Sequence, residues 1–298
     1  MIEFVRTPLL QIGYVEAGRS PGPPVVLVHG WPDDPSCWDR VAPALAADGY
    51  RCLLPCLRGT SPTTFRDEDT PRSGQIGALA ADLADFLAAL DLTDVLLVGH
   101  DWGARAGYAV AALFPERVRG LVAMSAGYAT GRGPLSYGLA QNYWYEWFAA
   151  TERGRRAYRD DRRELCRYLW SAWSPPWPER DAQFDRAAPS WDNADWAEIS
   201  LHAYLHRWHE APGDPQYDRI EEQLAADPPI ATPTLVVHGA LDRDNIPAST
   251  EGKESLFSGW YERRVLADIG HFVPREASAA TIDAVRRIAA VTEPAAGR

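Results

Sequence analysis

The sequence predicts an α/β fold in which a mostly parallel sheet, with helices on both faces, is interrupted by a helical insertion. Short apolar runs alternate with helix-like segments in residues 1–127, and the alternation resumes in residues 231–298. Runs that are apolar at every position, such as residues 25–28 and 95–98, are typical of strands covered on both faces. Residues 128–230 instead hold eight of the 12 tryptophans and lack a β-branched run, which favours a helical cap.

The first part of the chain is expected to alternate strands and helices. Pro8 divides residues 4–17 into two short extended runs, and a turn rich in Gly and Pro at residues 18–24 precedes the strand at 25–28. Apolar residues spaced three and four apart predict a helix over residues 74–90. The other elements predicted here are helices at 38–47 and 102–113 and strands at 51–54, 95–98 and 118–124.

The last part of the chain returns to the same pattern. Strands are predicted at residues 234–239 and 264–266, and a closing helix at residues 277–291. The predicted organisation is therefore a core made of residues 1–127 and 231–298, with a cap of residues 128–230 inserted between them.

Composition and charge exclude several classes of function. The 298 residues include 41 acidic and 30 basic side chains, a net charge of −11, which disfavours nucleic acid as a partner. No apolar run reaches the ~18 residues of a membrane span, and the first residues lack the pattern of a signal peptide. The four scattered cysteines favour reduced thiols. We expect a cytoplasmic monomer or homodimer without a membrane partner, metal or cofactor.

A short motif after the strand at 95–98 indicates nucleophilic chemistry. The strand runs into Gly99-His100-Asp101-Trp102-Gly103 and then a helix, and small residues flanking the central position allow a strained turn that projects its side chain. Taken alone, the motif is better explained by Asp101 capping the helix, because a capping Asp is common. However, Asp242 and His271 each follow a later predicted strand, so a nucleophile, an acid and a histidine occur in the order of a hydrolytic triad.

Two motifs make the chain similar to a known family. His29-Gly30-Trp31-Pro32 resembles the H-G-x-P motif of epoxide hydrolases, and the motif around Asp101 resembles one shared by epoxide hydrolases and many dehalogenases. The chain thus resembles the capped α/β-hydrolases, which include soluble epoxide hydrolases and the haloalkane and haloacetate dehalogenases. The resemblance extends over nearly the whole chain and implies the α/β-hydrolase fold.

The resemblance also implies roles for individual residues. Asp101 would be the nucleophile, His271 the base and Asp242 the acid that orients it, while the backbone N–H groups of Trp31 and Trp102 would form the oxyanion hole. Asp244 competes for the acid role, but the position of Asp242 relative to the preceding glycine is the one the family favours.

A carboxylate nucleophile suits displacement at an sp³ carbon. It is ionised at neutral pH and forms an alkyl-enzyme ester, which disfavours ordinary esterase activity. A water molecule activated by His271 would then cleave the ester, with the oxyanion hole stabilising the tetrahedral intermediate.

The leaving group separates two enzyme activities. An epoxide leaves as an alkoxide that needs a proton or a hydrogen bond, whereas a halide needs only polarised N–H or aromatic-edge donors. Two cap segments, residues 144–148 and 203–207, resemble those that carry the paired tyrosines of epoxide hydrolases. They assign Tyr145 and Tyr204 as donors to the ring oxygen. A pocket for a small apolar or aromatic substrate is expected to be lined by Trp31, Trp102, Trp144, Tyr145 and Tyr204.

Hydrolytic dehalogenation by the same triad is the first alternative. Haloalkane dehalogenases tend to have Asn in place of Trp31, and haloacetate dehalogenases share Arg105 but carry a second Arg in place of Trp102, so both resemblances are incomplete. A small-molecule binding protein of the same fold is an alternative from another class, and the complete triad favours turnover over it.

Three histidines of the cap raise the alternative of a metal site. His202, His206 and His209 fall on one face of a predicted helix, but three histidines from a single helix rarely complete a tetrahedral shell. They are expected to form hydrogen bonds between cap and core.

Overall fold

One mostly parallel sheet forms the centre of the protein. The computed structural model describes residues 1–18, 21–131, 134–175 and 177–293, and within them nine strands form a single sheet. The strands are β1 (Ile2–Arg6), β2 (Leu10–Ala17), β3 (Pro24–Val28), β4 (Arg51–Pro55), β5 (Thr64–Phe65), β6 (Val95–His100), β7 (Val118–Met124), β8 (Thr234–Gly239) and β9 (Tyr261–Leu266).

The sheet has an antiparallel edge and a parallel body. Its order is β1-β2-β4-β3-β6-β7-β8-β9, with β5 paired to β2. β1, β5 and β4 run antiparallel to β2, whereas every other neighbouring pair is parallel. Because the carboxyl ends of parallel strands meet at one edge of the sheet, the loops after β3, β6 and β8 lie together.

Helices cover both faces of the sheet. The core helices are α1 (Ala42–Ala47), α2 (Ile76–Ala89), α3 (Trp102–Leu113), α11 (Val273–Glu276) and α12 (Ser278–Thr292). Alternate residues of β3 serve the two faces. Val26 packs in the apolar cluster that contains Leu79 of α2, whereas Val25 packs in the cluster that contains Leu45 of α1 and Ile288 of α12. The predicted α/β architecture is confirmed.

The segment between β7 and β8 contains helices. They are α4 (Tyr137–Asn142), α5 (Trp144–Phe148), α6 (Glu152–Asp160), α7 (Arg162–Trp173), α8 (Arg180–Ala187), α9 (Trp196–Arg207) and α10 (Asp218–Ala225). Buried hydrogen bonds join these helices to the core. Trp170 Nε1 donates to Pro32 O at 2.8 Å, and the Ser174 hydroxyl accepts from the backbone N–H of His271 at 2.8 Å. The segment is thereby held over the carboxyl edge of the sheet.

Several element boundaries differ from the predictions. The helix predicted from residue 38 begins at Ala42, because a 3₁₀ turn capped by the Asp34 carboxylate occupies Pro35–Trp38. The strand predicted at 264–266 begins at Tyr261. It lies at the sheet edge, where half-exposed charged side chains break the apolar pattern. Among the described residues, no helix has both the length and the apolar character that a membrane span requires.

Candidate active site

A strained turn between β6 and α3 presents Asp101. Its φ is +49°, in the left-handed region that is costly for a residue with a side chain. Neighbouring glycines make the turn possible. A Cβ atom at Gly99 would lie 2.3 Å from Gly103 O, and one at Gly103 would lie 2.2 Å from Val28 O. The chain can pass so closely only at positions without a side chain, which is the geometry the motif predicts.

Asp242 and His271 form a buried pair beside this turn. His271 Nδ1 donates to Asp242 Oδ2 at 3.0 Å, and both side chains are fully buried. The same Asp242 oxygen lies 3.2 Å from His238 Nε2, and its other oxygen accepts from the backbone N–H of Asp244 at 2.9 Å. Asp242 rather than Asp244 therefore holds the Nδ1 side of the imidazole.

The other ring nitrogen of His271 is available for chemistry. Nε2 is buried and has no hydrogen-bond partner among the described residues. One polar atom from each of Asp101, Asp244 and His271 lies within 4.8 Å of the other two. The structure thus brings together the predicted nucleophile and base, together with a carboxyl group that the sequence analysis considered only as a competing acid.

Electrostatics within this cluster keep protons on the histidine. Burial by itself would lower the pKa of His271, but the nearby carboxylates, led by Asp242, raise it to about 10. Burial would likewise raise the pKa of Asp242, but the attraction and hydrogen bond of His271, together with His238, lower it to about 2. An ionised Asp242 thus favours the imidazolium that a general base becomes after accepting a proton.

One of the two backbone N–H groups predicted for the oxyanion hole contacts Asp101, and the other belongs to the first turn of a helix. The Trp31 N–H donates to Asp101 Oδ1 at 2.8 Å. Trp102 is the first residue of α3, where a backbone N–H has no acceptor within the helix. One oxygen of the predicted nucleophile is therefore bound by the Trp31 N–H, which orients the carboxylate.

Aromatic rings from core and cap surround Trp31. Its indole Nε1 donates to Ser200 Oγ at 2.8 Å, which fixes the ring between them. The rings within about 6 Å of it belong to Trp102, Tyr145, Tyr158, Trp173, Trp196 and Tyr204. Trp173 also contacts the catalytic centre, with its ring centroid 5.0 Å from that of His271.

The two predicted cap tyrosines meet in this cluster. Tyr145 comes from α5 and Tyr204 from α9, both are buried, and their ring centroids are 5.2 Å apart. Burial and then nearby carboxylates raise the pKa of Tyr145; burial is also the largest cause of the raised pKa of Tyr204. Both hydroxyls are therefore protonated at neutral pH and able to donate.

The prediction that Trp144 lines the pocket is corrected by the structure. Its side chain is 36% exposed, and its ring packs against Tyr168, which is itself exposed. Trp144 and Tyr145 are adjacent on a helix, where consecutive side chains point about 100° apart, so only one of them can face the interior. Trp31, Trp102, Tyr145 and Tyr204 lie together, and Trp144 lies at the cap surface.

Two acidic residues join the cluster without having been predicted there. The Tyr145 hydroxyl lies 2.9 Å from Asp244 Oδ1 and 3.1 Å from Glu146 Oε1. Glu146 is buried and also accepts from Arg207 at 2.9 Å and from Trp208 Nε1 at 2.6 Å. The sequence offered one signal for Asp244, its place two residues after Asp242. It offered none for Glu146.

His202 lies on the opposite side of α9 from Tyr204, and backbone groups contact its ring. Its Nδ1 accepts from the Gly74 N–H at 3.1 Å, and its Nε2 lies 3.1 Å from Pro212 O. Its ring stacks on that of His206, with centroids 5.8 Å apart. Both ring nitrogens of His202 thus have hydrogen-bond partners, and one of these partners is Gly74 of the core. A cleft of about 270 Å³ lies beside these residues and is lined in part by Trp102, Arg105 and Tyr204.

Comparison with known proteins agrees with this geometry. The model of the α/β hydrolase fold family matches residues 23–277. An epoxide hydrolase of Caballeronia sordidicola is 26% identical over 284 residues, which are 87% of this chain and 84% of that protein. A haloalkane dehalogenase of Mesorhizobium japonicum is 41% identical over 113 residues, 38% of this chain and 35% of that protein.

A solved structure is similar over almost the full length. A candidate epoxide hydrolase from Klebsiella pneumoniae subsp. pneumoniae is 39% identical, with a TM-score of 0.92 and 96% of each chain covered. These similarities confirm the resemblance inferred from the two motifs. The chain belongs to the α/β hydrolase fold family.

Proposed function

We propose that the protein hydrolyses an epoxide to a vicinal diol through a covalent ester on Asp101. The observation that carries the proposal is the meeting of two buried tyrosines, Tyr145 and Tyr204, over the ring of Trp31, whose N–H group binds the Asp101 carboxylate. A carboxylate nucleophile requires an sp³ carbon with a leaving group, and two hydroxyl donors suit an oxygen leaving group.

In the first step Asp101 opens the ring. Because Trp31 holds Oδ1, we assign the attack on the epoxide carbon to Oδ2. The carbon–oxygen bond of the ring breaks as the ester bond forms, and the ring oxygen takes a proton from a tyrosine hydroxyl. The similarity to the epoxide hydrolases of Caballeronia sordidicola and Klebsiella pneumoniae supports this substrate class.

In the second step His271 activates a water molecule. Water attacks the carbonyl carbon of the Asp101 ester, and His271 Nε2 accepts its proton while Asp242 holds the ring. Esterification removes the negative charge of Asp101, one of the groups that raise the pKa of His271 in the free protein. The pKa of His271 therefore falls after ring opening, which prepares it to accept a proton.

The aromatic lining of the site favours a small apolar or aromatic substrate, and the reduced cysteines favour a reducing compartment. The aromatic rings around Trp31 offer an apolar wall, and all four cysteines are free and buried. The proposal is for a cytoplasmic enzyme that acts without a cofactor, as a monomer or homodimer. It has two domains, a core of residues 1–127 and 231–298 and a cap of residues 128–230.

Dehalogenation is the second candidate function because of the local similarity to a haloalkane dehalogenase. A halide leaving group is stabilised by N–H donors. Trp31 Nε1 already donates to Ser200 Oγ, so it is not free to bind a halide. The two tyrosine hydroxyls favour the epoxide.

A single turnover in ¹⁸O-labelled water tests the function. Water attack at the ester carbonyl leaves one labelled oxygen on Asp101, which mass analysis of its peptide detects. Protein incubated without substrate serves as the control. We expect label with a styrene-oxide-like epoxide. Label with a haloalkane alone would reject the epoxide reaction, and no label with either would favour a binding protein or a different hydrolytic route.

A further inference from the structure

Asp244 is a buried carboxyl group in the active site that the two steps above do not use. It follows β8, is 3% exposed and lies with Asp101 and His271 in the 4.8 Å cluster. Its Oδ1 contacts the Tyr145 hydroxyl at 2.9 Å, and its Oδ2 accepts from Asn245 Nδ2 at 2.8 Å. A carboxyl group in this position connects the ring-opening side of the site with the hydrolytic side.

Counting protons shows that one carboxyl group at Tyr145 is protonated. The Tyr145 hydroxyl oxygen lies within hydrogen-bond distance of both Asp244 Oδ1 and Glu146 Oε1. A tyrosine hydroxyl has one proton, and an ionised carboxylate can only accept. Two ionised carboxylates would leave one of these buried contacts without a proton, so one of the two acids donates to Tyr145.

The surroundings of the two acids differ in their donors. Glu146 accepts from the Arg207 guanidinium and the Trp208 indole, both of which favour its ionised form. Asp244 has the neutral amide of Asn245 instead. Several charged or titratable groups interact with Asp244, and Tyr145 is in direct contact with it. The others are the cations His271 and Arg207, the acids Asp242, Asp101 and Glu146, and the tyrosines Tyr143, Tyr158 and Tyr204.

The pKa values of the two acids also indicate that Asp244 is the protonated one. The net pKa of Asp244 is raised to about 7: burial is the largest cause, His271 opposes it, and Asp242, Asp101 and Glu146 add to it. Burial also raises the pKa of Glu146, but Arg207 and Trp208 oppose the increase. Of the two, Asp244 is the acid with weaker support for its ionised form.

We propose that Asp244 supplies, through Tyr145, the proton that the ring oxygen receives. The proposal rests on the epoxide-opening function. As the carbon–oxygen bond breaks, Tyr145 gives its proton to the ring oxygen, and Asp244 transfers its own proton to the Tyr145 oxygen. The products are the hydroxy ester of Asp101, a neutral Tyr145 and an ionised Asp244.

Hydrolysis then restores the resting state. The His271 imidazolium, whose pKa is about 10 in the free protein, passes its proton to the ionised Asp244 within the 4.8 Å cluster, directly or through a water molecule, and becomes a neutral base. Cleavage of the ester by one water molecule yields the diol, the Asp101 carboxylate and one proton, which His271 takes from the water. Asp244 is thus a positioning residue that acts on substrate through Tyr145 and links the two half-reactions.

The test compares Asp244→Asn with Glu146→Gln, which alters the other acid on the same hydroxyl. Ester formation is followed in single turnovers by tryptophan fluorescence, since the rings of Trp31 and Trp102 stack 6.1 Å apart beside Asp101. In the unmodified protein we expect the rate to fall as pH rises through the Asp244 pKa of about 7. Asp244→Asn should slow ester formation ~10²-fold and remove this fall.

In Glu146→Gln the rate of ester formation should still fall as pH rises through about 7, even if the rate itself changes. Circular dichroism of both variants verifies that they fold. The proposal is overturned if the rate of ester formation still falls with pH in Asp244→Asn. It is also overturned if this pH dependence disappears only in Glu146→Gln.

An infrared measurement separates failure of this proposal from failure of the proposed function. If the unmodified protein forms no ester with any epoxide, the proposed epoxide-hydrolase function is rejected. The infrared spectrum still reports whether the Asp244 carboxyl group is protonated, without the need for a substrate. The difference spectrum between the protein and Asp244→Asn below the pKa of about 7 should contain the carbonyl band of a protonated carboxyl group, shifted by Tyr145→Phe. Absence of that band overturns the assignment of the proton to Asp244.

Discussion

The core and the cap position their parts of the site by different means. In the core, Asp101 and Trp31 are fixed by tight turns at strand ends, and the backbone N–H of Trp31 contacts the Asp101 carboxylate. In the cap, Tyr145 is fixed by side-chain hydrogen bonds to ionisable partners, Glu146 and Asp244. Backbone geometry thus sets the reactions common to all substrates, and the cap side chains adapt the site to one leaving group. Substitutions of the core residues Asp101, Asp242 and His271 should impair every substrate, and substitutions of the cap tyrosines should discriminate among substrates.

The largest effect is expected from removing the core base. His271→Gln leaves Asp101 able to attack but removes the acceptor of the water proton, so turnover should fall ~10⁴-fold with both epoxides and haloalkanes. The intermediate should accumulate, and mass analysis should find the Asp101 peptide heavier by the mass of the epoxide, or by the mass of the haloalkane less that of the hydrogen halide. Loss for only one substrate class would contradict the division between core and cap.

A smaller core effect is expected at Asp242, together with a shift in pH dependence. Hydrolysis needs neutral His271, so the rate of ester decay should rise as pH increases through the pKa of His271. That pKa is about 10 in the free protein and lower in the ester. Removing the negative charge in Asp242→Asn lowers it further. Ester decay should slow ~10³-fold, and its rise should move to lower pH.

The neighbouring acid provides the comparison for Asp242. Asp244→Asn should slow ester formation, whereas Asp242→Asn should slow ester decay, because only Asp242 contacts His271 Nδ1. Stopped-flow traces resolve the two phases. Equal effects of both variants on ester decay would show that the assignment of the orienting acid is wrong.

A substrate-specific effect is expected in the cap. Tyr204→Phe removes one donor to the ring oxygen, so kcat/KM for an epoxide should fall ~10²-fold while a haloalkane is affected less than ~3-fold. Tyr108→Phe is a matched control, because its buried hydroxyl donates to Ala126 O in the core, away from the site. Equal losses for both substrates in Tyr204→Phe would place Tyr204 among the general supports of the site.

The same contrast explains what the sequence could predict. Asp101 and Asp242 follow strands whose apolar runs are easily recognised, and His271 follows the short apolar end of β9. The order of these strands brings their loops to one edge, so the cluster follows from local patterns. The contact between Tyr145 and Asp244 joins residues 99 positions apart through side chains alone. No local pattern encodes such a contact. The sequence also does not show which side of α5 faces the interior. This five-residue helix carries aromatic residues on several sides, namely Trp144, Tyr145, Trp147 and Phe148.

The smallest effect is expected at Trp144, which separates the cap surface from its interior. The half-exposed ring packs on Tyr168, so Trp144→Ala should change kcat/KM less than ~2-fold for any substrate and lower the free energy of unfolding by only ~1 kcal/mol. Trp173→Ala, in the same cap, is the contrasting variant. Trp173 is buried with its ring 5.0 Å from His271, so its removal opens a cavity beside the base and should reduce turnover far more. Similar losses in the two variants would mean that the cap acts on the site as one packed unit, and the helical phase of α5 would no longer explain which aromatic residues matter.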